Sequence, residues 1–208
     1  MTTPAAVMEH THVHRDDTGT RMGMWLFLFT ELILFGGLFI VYAVYRFKYP
    51  VEFSVAAKEL DTLVGTVNTI ILLTSSLTVA MSITAIQEGR KNLSLLLVGF
   101  TILLALAFLV NKYFEWGHKI QHGIYPQSPE LLKMPQGEIL YFGLYYVMTG
   151  LHALHVIIGI VVLLFMMTFI ARNKIHKDAY VRLEAGGLYW HLVDIIWIFL
   201  FPLFYLIH

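Results

Sequence analysis

The sequence contains no cysteine. This absence excludes disulfides, thiolate-bound metals, iron–sulfur clusters and covalent attachment of a c-type haem. Charged residues are also scarce, at 13% of 208 residues against 58% hydrophobic residues, and the mean hydropathy is +0.70. Lys and Arg balance Asp and Glu at 14 each, so no basic surface for nucleic acid is indicated. This composition is typical of a polytopic membrane protein.

Long apolar runs take up most of the chain. After a polar amino-terminal tail at 1–21, five runs are each long enough to cross roughly 30 Å of hydrocarbon as a helix. The first run lacks a small-residue cleavage pattern, so we expect a retained span rather than a signal peptide. The sequence predicts an all-α polytopic fold over 22–208, a bundle of five transmembrane helices near 23–45, 67–86, 93–113, 139–171 and 188–207.

The connections between these runs indicate the topology. The turn at 89–92 makes the second and third spans an antiparallel hairpin. The connection at 114–138, with three prolines, is predicted to be the longest exposed loop. The tail and the loops after the second and fourth spans hold eight Lys and Arg residues, against six on the opposite side. This bias predicts a cytoplasmic amino terminus and an outside carboxy terminus.

Three alternating histidines, His10, His12 and His14, lie in the tail. They offer nitrogen ligands to a metal ion, but a segment this polar is more typical of a solvated tail. We predict no metal site there.

Glu31 lies about nine residues into the first span. A charge near the centre of a span costs roughly 2.5 kcal/mol or more on insertion scales. We therefore expect the carboxyl to be protonated or to face a partner on another helix. The residues alone leave two alternatives open, a proton-exchanging carboxyl and a neutral, hydrogen-bonded group that fixes helix packing.

Polar side chains also recur on the second and third spans. Asn68, Ser75 and Ser82 repeat every seven residues, which gives one face and favours close helix packing over transport. Glu115 shares a polar stripe with its neighbours at the end of the third span, where the lysines can reach lipid headgroups. The sequence there favours a solvated or lipid-contacting helix end.

The last span opens with tryptophan, histidine and aspartate side chains. Trp190, Asp194 and Trp197 fall within about 60° of arc, and His191 can reach Asp194 one turn away. A hydrogen-bonded His191–Asp194 pair would lower the cost of burying both groups. The residues do not separate a lipid-headgroup site, a proton relay and a structural contact.

In the fourth span, the segment T-G-L-H-A-L-H-V-I-I-G places His152 and His155 about 60° apart on one helix face. An ionisable side chain at membrane depth indicates function. Axial haem ligands approach opposite faces of the porphyrin, so a bis-histidine haem would need His191 as well. A dinuclear metal site with Glu31 and Glu115 would need all ligands at one depth. We expect both histidines to hydrogen-bond across helices or to a bound lipid.

Taken in order, these segments resemble subunit III of the haem–copper oxidases in its short five-helix bacterial form. M-G-M-W-L-F-L-F-T-E-L-I-L-F-G-G-L-F and V-N-T-I-I-L-L-T-S-S-L-T-V-A-M are similar to two family helices, and K-Y-F-E-W matches the end of the next. The two most specific segments are T-G-L-H-A-L-H-V-I-I-G and Y-W-H-L-V-D-I-I-W-I-F-L-F. The resemblance covers nearly the whole chain after the tail.

The resemblance implies a non-catalytic subunit of cytochrome c oxidase, with no catalytic or metal-binding residue of its own. It implies direct packing on subunit I, association with subunit II, small subunits or a supercomplex, and haem and copper in these partners. It further implies phospholipid bound in a cleft, support of proton uptake and sustained turnover during O2 reduction, and a place in the bacterial plasma membrane. Glu31 matches the family's carbodiimide-reactive glutamate. The candidates for lipid-cleft or packing positions are His152, His155, His191, Asp194, Glu115, Trp190 and Trp197.

Three alternatives stay open. The first is subunit III of a quinol oxidase, or an accessory protein of nitric oxide reductase, since the electron donor binds elsewhere in such complexes. The second is a haem or metal membrane enzyme built on His152, His155 and His191. The third is a small transporter that uses Glu31, against which no span is broken by paired Gly and Pro and no internal repeat is present.

Overall fold

The computed structural model of the chain describes residues 17–177 and 179–207. Five helices in this part of the chain are long and apolar enough to cross a membrane, and the one other α-helix there, Pro50–Ala57, is short. The predicted all-α, five-span membrane fold is confirmed, whereas His10, His12 and His14 lie outside the described residues. The helices are α1 (Asp17–Lys48), α2 (Pro50–Ala57), α3 (Thr62–Gln87), α4 (Lys91–Gln121), α5 (Gln136–Ala171) and α6 (Val181–Tyr205), with one 3-10 turn at Leu131–Lys133.

The central helix of the bundle is α6. It packs against α1, α3 and α5, while α3 and α4 form the predicted antiparallel hairpin. In the most apolar stretch of α6, 56% of the residues are buried within the chain, against 11% for α1. The core is therefore built around α6, and most of the surface of α1 is left for contacts outside this chain.

The small polar residues of α3 form a packing face, as the sequence predicts. Asn68, Ser75 and Ser82 are fully buried. Gly187 of α6 lies so close to α3 that a Cβ there would stand 2.8 Å from Ile83 Cδ1. Small side chains on both helices thus let the two backbones approach each other, which is common in membrane bundles.

Helix ends differ from the predicted spans. α1 begins at Asp17, inside the range expected as tail, and Arg21 there forms a 2.9 Å ion pair with Glu184 of α6. α6 begins at Val181, well before 188, and Val181 and Leu183 are buried. Contacts with other helices stabilise these terminal turns of α1 and α6. The apolarity of a segment therefore does not predict where its helix begins.

The largest difference between a helix end and a predicted span is at the end of α4. This helix continues to Gln121, which shortens the connection predicted for 114–138 to 122–135. The helix ends in a Schellman motif, in which Gly123 adopts φ 73° and the Ile124 N–H donates to Lys119 O over 2.9 Å. The prolines that indicate a loop all follow this end, so the polar residues before them belong to the helix.

The sequence does not predict the short helix α2. Pro50 occupies its first turn, where a missing N–H leaves no hydrogen bond unmade. Phe53 is fully buried and meets the rings of Tyr42 on α1 and Tyr141 on α5 edge-on, at centroid distances of 5.5 and 5.3 Å. Aromatic contacts therefore join α2 to both long helices at one end of the bundle.

Candidate functional site

Glu31 on α1 faces His155 on α5. Its Oε2 lies 2.9 Å from His155 Nε2, and the two side chains are 14% and 10% exposed. The other ring nitrogen, Nδ1, lies 2.7 Å from the Leu151 carbonyl oxygen, which can only accept a hydrogen bond, so Nδ1 carries a proton. The contact between Nε2 and Oε2 therefore holds one shared proton, either as carboxylic acid with imidazole or as carboxylate with imidazolium. The sequence predicts that Glu31 is protonated or faces a partner on another helix, and the structure places His155 beside it.

His152 lies one turn away in a different environment. It is fully buried, and its ring meets Trp197 of α6 at a centroid distance of 5.2 Å and Phe108 of α4 at 5.6 Å. Neither ring nitrogen has a hydrogen-bond partner among the described residues. A hydrogen bond across helices is present for His155 and absent for His152 among the described residues, and the alternative expected for His152, a hydrogen bond to a bound lipid, stays a prediction. The angular offset between them directs His155 towards α1 and His152 into the centre of the bundle.

The predicted hydrogen bond between His191 and Asp194 is wrong. His191 Nδ1 instead lies 2.6 Å from the Ser76 hydroxyl of α3. Asp194 is 3% exposed, and neither of its carboxyl oxygens has a hydrogen-bond partner in the described part of the chain. α3 packs directly on α6, so the Ser76 hydroxyl lies within hydrogen-bond distance of His191. The helical spacing of α6 alone predicts Asp194 as the partner of His191.

Both tryptophans of α6 are also held by α3. Trp190 Nε1 donates to Ser75 Oγ, and Trp197 Nε1 donates to Thr69 Oγ1, each over 3.0 Å. Both indoles are fully buried. Trp190 lies against Gly159 of α5, where a Cβ would stand 2.7 Å from the indole ring. The two tryptophans therefore occupy packing positions in the interior of the bundle.

Glu115 belongs to a buried polar cluster next to Trp197, whose ring centroid lies 5.0 Å from Lys112 Nζ. Lys112 Nζ lies 3.1 Å from Glu115 Oε2, and the lysine and glutamate side chains are 4% and 6% exposed. The hydroxyls of Tyr145 and Tyr205 each donate to Glu115 Oε1 over 2.6 Å. Lys112 Nζ also contacts both hydroxyls, at 3.3 and 2.7 Å. We call Lys112, Glu115, Tyr145 and Tyr205 the lysine–glutamate cluster.

The burial of the lysine–glutamate cluster corrects the expectation of a solvated helix end at this position. α4 continues about two turns past the predicted span, to Gln121, so Lys112 and Glu115 lie inside the helix and pack against α5 and α6. A buried ion pair needs additional hydrogen bonds to offset desolvation, and the two tyrosines supply them. The i,i+3 spacing of Lys112 and Glu115 is a sequence signal for the pair. No such signal exists for Tyr145 and Tyr205, which come from α5 and α6.

A groove of about 360 Å³ lies between α1 and α6 at the surface of the bundle. Phe39, Phe199, Pro202 and Leu203 give it apolar walls, and the exposed side chain of Arg46 lines the same groove. We call it the α1–α6 groove. Arg46 lies in the last turn of α1, which places its charge at a membrane boundary. The sequence indicates only that Arg46 ends the first span, and the apolar walls beside it come from tertiary structure.

The three histidines considered as haem or metal ligands point to different helices. His155 contacts Glu31 of α1, His191 contacts Ser76 of α3, and His152 packs between rings of α4 and α6. Within residues 17–177 and 179–207, no group of three or more His, Asp and Glu side chains is placed to hold a metal ion. The side-chain partners of His155 and His191 lie on different helices, and the geometry does not gather the three histidines into one ligand set.

Comparison with known proteins connects these features to a family. The sequence model described as "Cytochrome c oxidase subunit III" matches residues 3–208. The chain belongs to this family. The resemblance to subunit III is thereby confirmed over nearly the whole sequence, including all five spans.

Subunit III relatives from two kinds of oxidase match at similar identity. "Cytochrome c oxidase subunit 3" of Synechocystis sp. is 33% identical, over 94% of this chain and 79% of its own length. "Cytochrome bo(3) ubiquinol oxidase subunit 3" of Pseudomonas aeruginosa is 30% identical, over 95% of this chain and 90% of its own length. "Heme-copper oxidase subunit I+III" of Aeropyrum pernix is 33% identical over 90% of this chain, which spans 22% of that longer protein. The chain is therefore a multi-pass subunit III of a haem–copper oxidase, of the cytochrome c or quinol type.

Proposed function

We propose that this subunit III packs directly on subunit I of a terminal respiratory oxidase and carries no redox centre of its own. The observation that carries this proposal is the largely uncovered surface of α1. α1 contacts α5 and α6 on one side, and only 11% of its most apolar stretch is buried. The remaining apolar surface requires lipid or another membrane protein. The Aeropyrum pernix relative, whose name joins subunits I and III, supports subunit I as that neighbour.

The α1–α6 groove supports a role in binding phospholipid. Its apolar walls fit an acyl chain, and Phe39 and Phe199 face each other there at a centroid distance of 6.1 Å. The Arg46 guanidinium can form charge-assisted hydrogen bonds to a lipid phosphate at the membrane boundary. A lipid in this groove would lie beside the helix that faces subunit I. It would fill the edge of that interface and so help the complex to sustain turnover.

The Glu31–His155 pair supports a role in proton uptake by the partner. The two side chains share one proton across a 2.9 Å contact between the membrane helices α1 and α5. Because its side chains remain 14% and 10% exposed, a partner packed on α1 can reach the pair. We place the protein in a bacterial plasma membrane with its amino terminus in the cytoplasm, on the basis of the Lys and Arg distribution.

Arg46→Gln in the assembled oxidase tests the lipid role. We expect an unchanged initial rate of O2 consumption and a shortened period of sustained turnover. The lost hydrogen bonds to a charged group weaken lipid retention by about tenfold. Lys48→Gln is the matched control, because it removes a charge from the same helix end without altering the α1–α6 groove. Immediate loss of the initial rate with normal assembly, or an unchanged turnover lifetime, would contradict the proposal.

The relatives also support a quinol oxidase as the second candidate, because both kinds of subunit 3 match this chain. The donor is identified by the chains that co-purify. A copper-binding subunit II in the complex would assign cytochrome c as the electron donor, and a subunit II without copper would assign a quinol.

A further inference from the structure

A second cavity lies between α3 and α4, where α3 begins and α4 ends. Its volume is about 480 Å³, and it shares no lining residue with the α1–α6 groove. We call it the α3–α4 pocket. Asp61 and Glu59 line it from the start of α3, and Glu115 and Lys119 line it from α4. The pocket is therefore a separate site at the bundle end that also holds the lysine–glutamate cluster.

One wall of the α3–α4 pocket is apolar and open towards the membrane. Leu63 and Val67 of α3 are 69% and 41% exposed, and Phe114 of α4 is 67% exposed. All three side chains line the pocket. Exposed apolar surface beside a transmembrane helix contacts hydrocarbon, so this wall fits an acyl chain.

The polar side of the pocket carries both signs of charge. Lys119 is 5% exposed, and within the described residues its ammonium donates one hydrogen bond, to Glu59 O at 2.9 Å. An ammonium group has three donors, so two remain for a ligand. Glu59 and Asp61 place carboxylates at the exposed rim, where Asp61 Oδ1 also caps α3 by accepting from the Leu63 N–H at 2.8 Å. A buried cation and exposed carboxylates thus line one cavity.

The carboxylates of the pocket are not arranged for a metal ion. In the described part of the chain, no three His, Asp and Glu side chains converge as metal ligands do. A metal ion needs its ligands at one point, whereas a primary ammonium group donates up to three separate hydrogen bonds. Carboxylates that do not converge can each accept a hydrogen bond from an organic ammonium group.

We propose that the α3–α4 pocket binds a zwitterionic phospholipid with a primary amine, of the phosphoethanolamine type. Its ammonium group lies at Glu59 and Asp61, its phosphate accepts hydrogen bonds from Lys119, and one acyl chain follows the apolar wall. The inference rests on the proposed lipid-binding role of subunit III. It adds the headgroup chemistry and a second location, away from the α1–α6 groove.

Native mass spectrometry of the assembled oxidase tests the headgroup. The complex is delipidated and offered phosphatidylethanolamine, phosphatidylglycerol or phosphatidylcholine with identical acyl chains. Phosphatidylethanolamine is expected to be retained most strongly, because phosphatidylglycerol lacks a cation and a quaternary amine donates no hydrogen bond. Glu59→Gln combined with Asp61→Asn is expected to weaken its retention by about tenfold, while Asn preserves the cap of α3.

Two further variants distinguish lipid binding in the α3–α4 pocket from a general effect of lost charge and from lipid binding in the α1–α6 groove. Glu88→Gln is the control, because Glu88 is an exposed carboxylate at the other end of α3, 3.3 Å from Arg90. Equal retention of the three lipids, or no effect of the double substitution, would overturn the assignment. If Arg46→Gln loses lipid and the double variant does not, lipid binding in the α1–α6 groove is supported and lipid binding in the α3–α4 pocket is refuted. If the double variant loses lipid and Arg46→Gln does not, binding in the groove is refuted and binding in the pocket is supported.

Discussion

Glu115→Ala is expected to destabilise subunit III by about 3–5 kcal/mol. The substitution leaves the Lys112 ammonium buried, at 4% exposure, without the carboxylate that lies 3.1 Å away. It also removes the acceptor for the Tyr145 and Tyr205 hydroxyls, which join α5 and α6 to α4. Thermal unfolding in detergent, followed by loss of helical circular dichroism, measures the effect.

The chain contains a matched control for this substitution. Lys133 and Glu130 form an ion pair with the same i,i+3 spacing, at 2.9 Å, but their side chains are 70% and 62% exposed. Glu130→Ala is expected to cost less than about 1 kcal/mol, because water solvates the lysine that remains. Equal losses in the two variants would show that burial of the ion pair is not the cause.

Neutralising both charges of the buried pair tests the same explanation. Lys112→Met together with Glu115→Gln leaves no uncompensated charge, and the Gln side-chain oxygen still accepts from a tyrosine hydroxyl. This double variant is expected to regain most of the stability that Glu115→Ala loses. A double variant as unstable as Glu115→Ala would refute the charge-based explanation.

Glu31→Gln is expected to abolish labelling by a hydrophobic carbodiimide at neutral pH and to leave assembly of the oxidase intact. The reagent attacks a carboxyl group, which the amide lacks. The amide can still donate to His155 Nε2, since the Leu151 carbonyl keeps the ring proton on Nδ1. The substitution thus removes the exchangeable proton and preserves the hydrogen bond. Mass spectrometry of the labelled peptide and O2 consumption over many turnovers measure both effects.

Glu31→Leu is the companion variant that removes the hydrogen bond as well. It leaves His155 Nε2 unpaired, which costs about 1–3 kcal/mol for a buried polar group and is expected to weaken assembly. Wild-type protein that resists the reagent, together with failed assembly of Glu31→Gln, would reverse the interpretation. The pair would then anchor α1 to α5 and have no role in proton exchange.

The sequence predicts the spans because an apolar run of such length has few stable states other than a membrane helix. It does not predict α2, whose eight residues are stabilised by Phe53 between Tyr42 and Tyr141. The end of α4 is missed for a related reason, since Glu115 reads as an interfacial charge until its partners are known. The local sequence predicts which long segments are helical, whereas contacts between helices determine where a helix such as α4 ends.

The polar pairs also depend on contacts between helices that the local sequence does not show. The cost of burying a charge predicts that Glu31 is protonated or has a partner, but the identity of that partner depends on α5 lying beside α1. His191 is within reach of Asp194 along the helix, yet Ser76 of α3 takes its Nδ1 at 2.6 Å. Helical spacing describes one helix at a time, so it cannot choose between a neighbour one turn away and a side chain on an adjacent helix.

Purification of the tagged chain in mild detergent tests most directly whether subunit III supports an oxidase without performing the oxidation. A haem-containing subunit I is expected to co-purify and to carry all of the Soret absorbance. After the subunits are separated, this chain is expected to show none. A Soret band from the separated chain, or a preparation without subunit I, would contradict the proposed function.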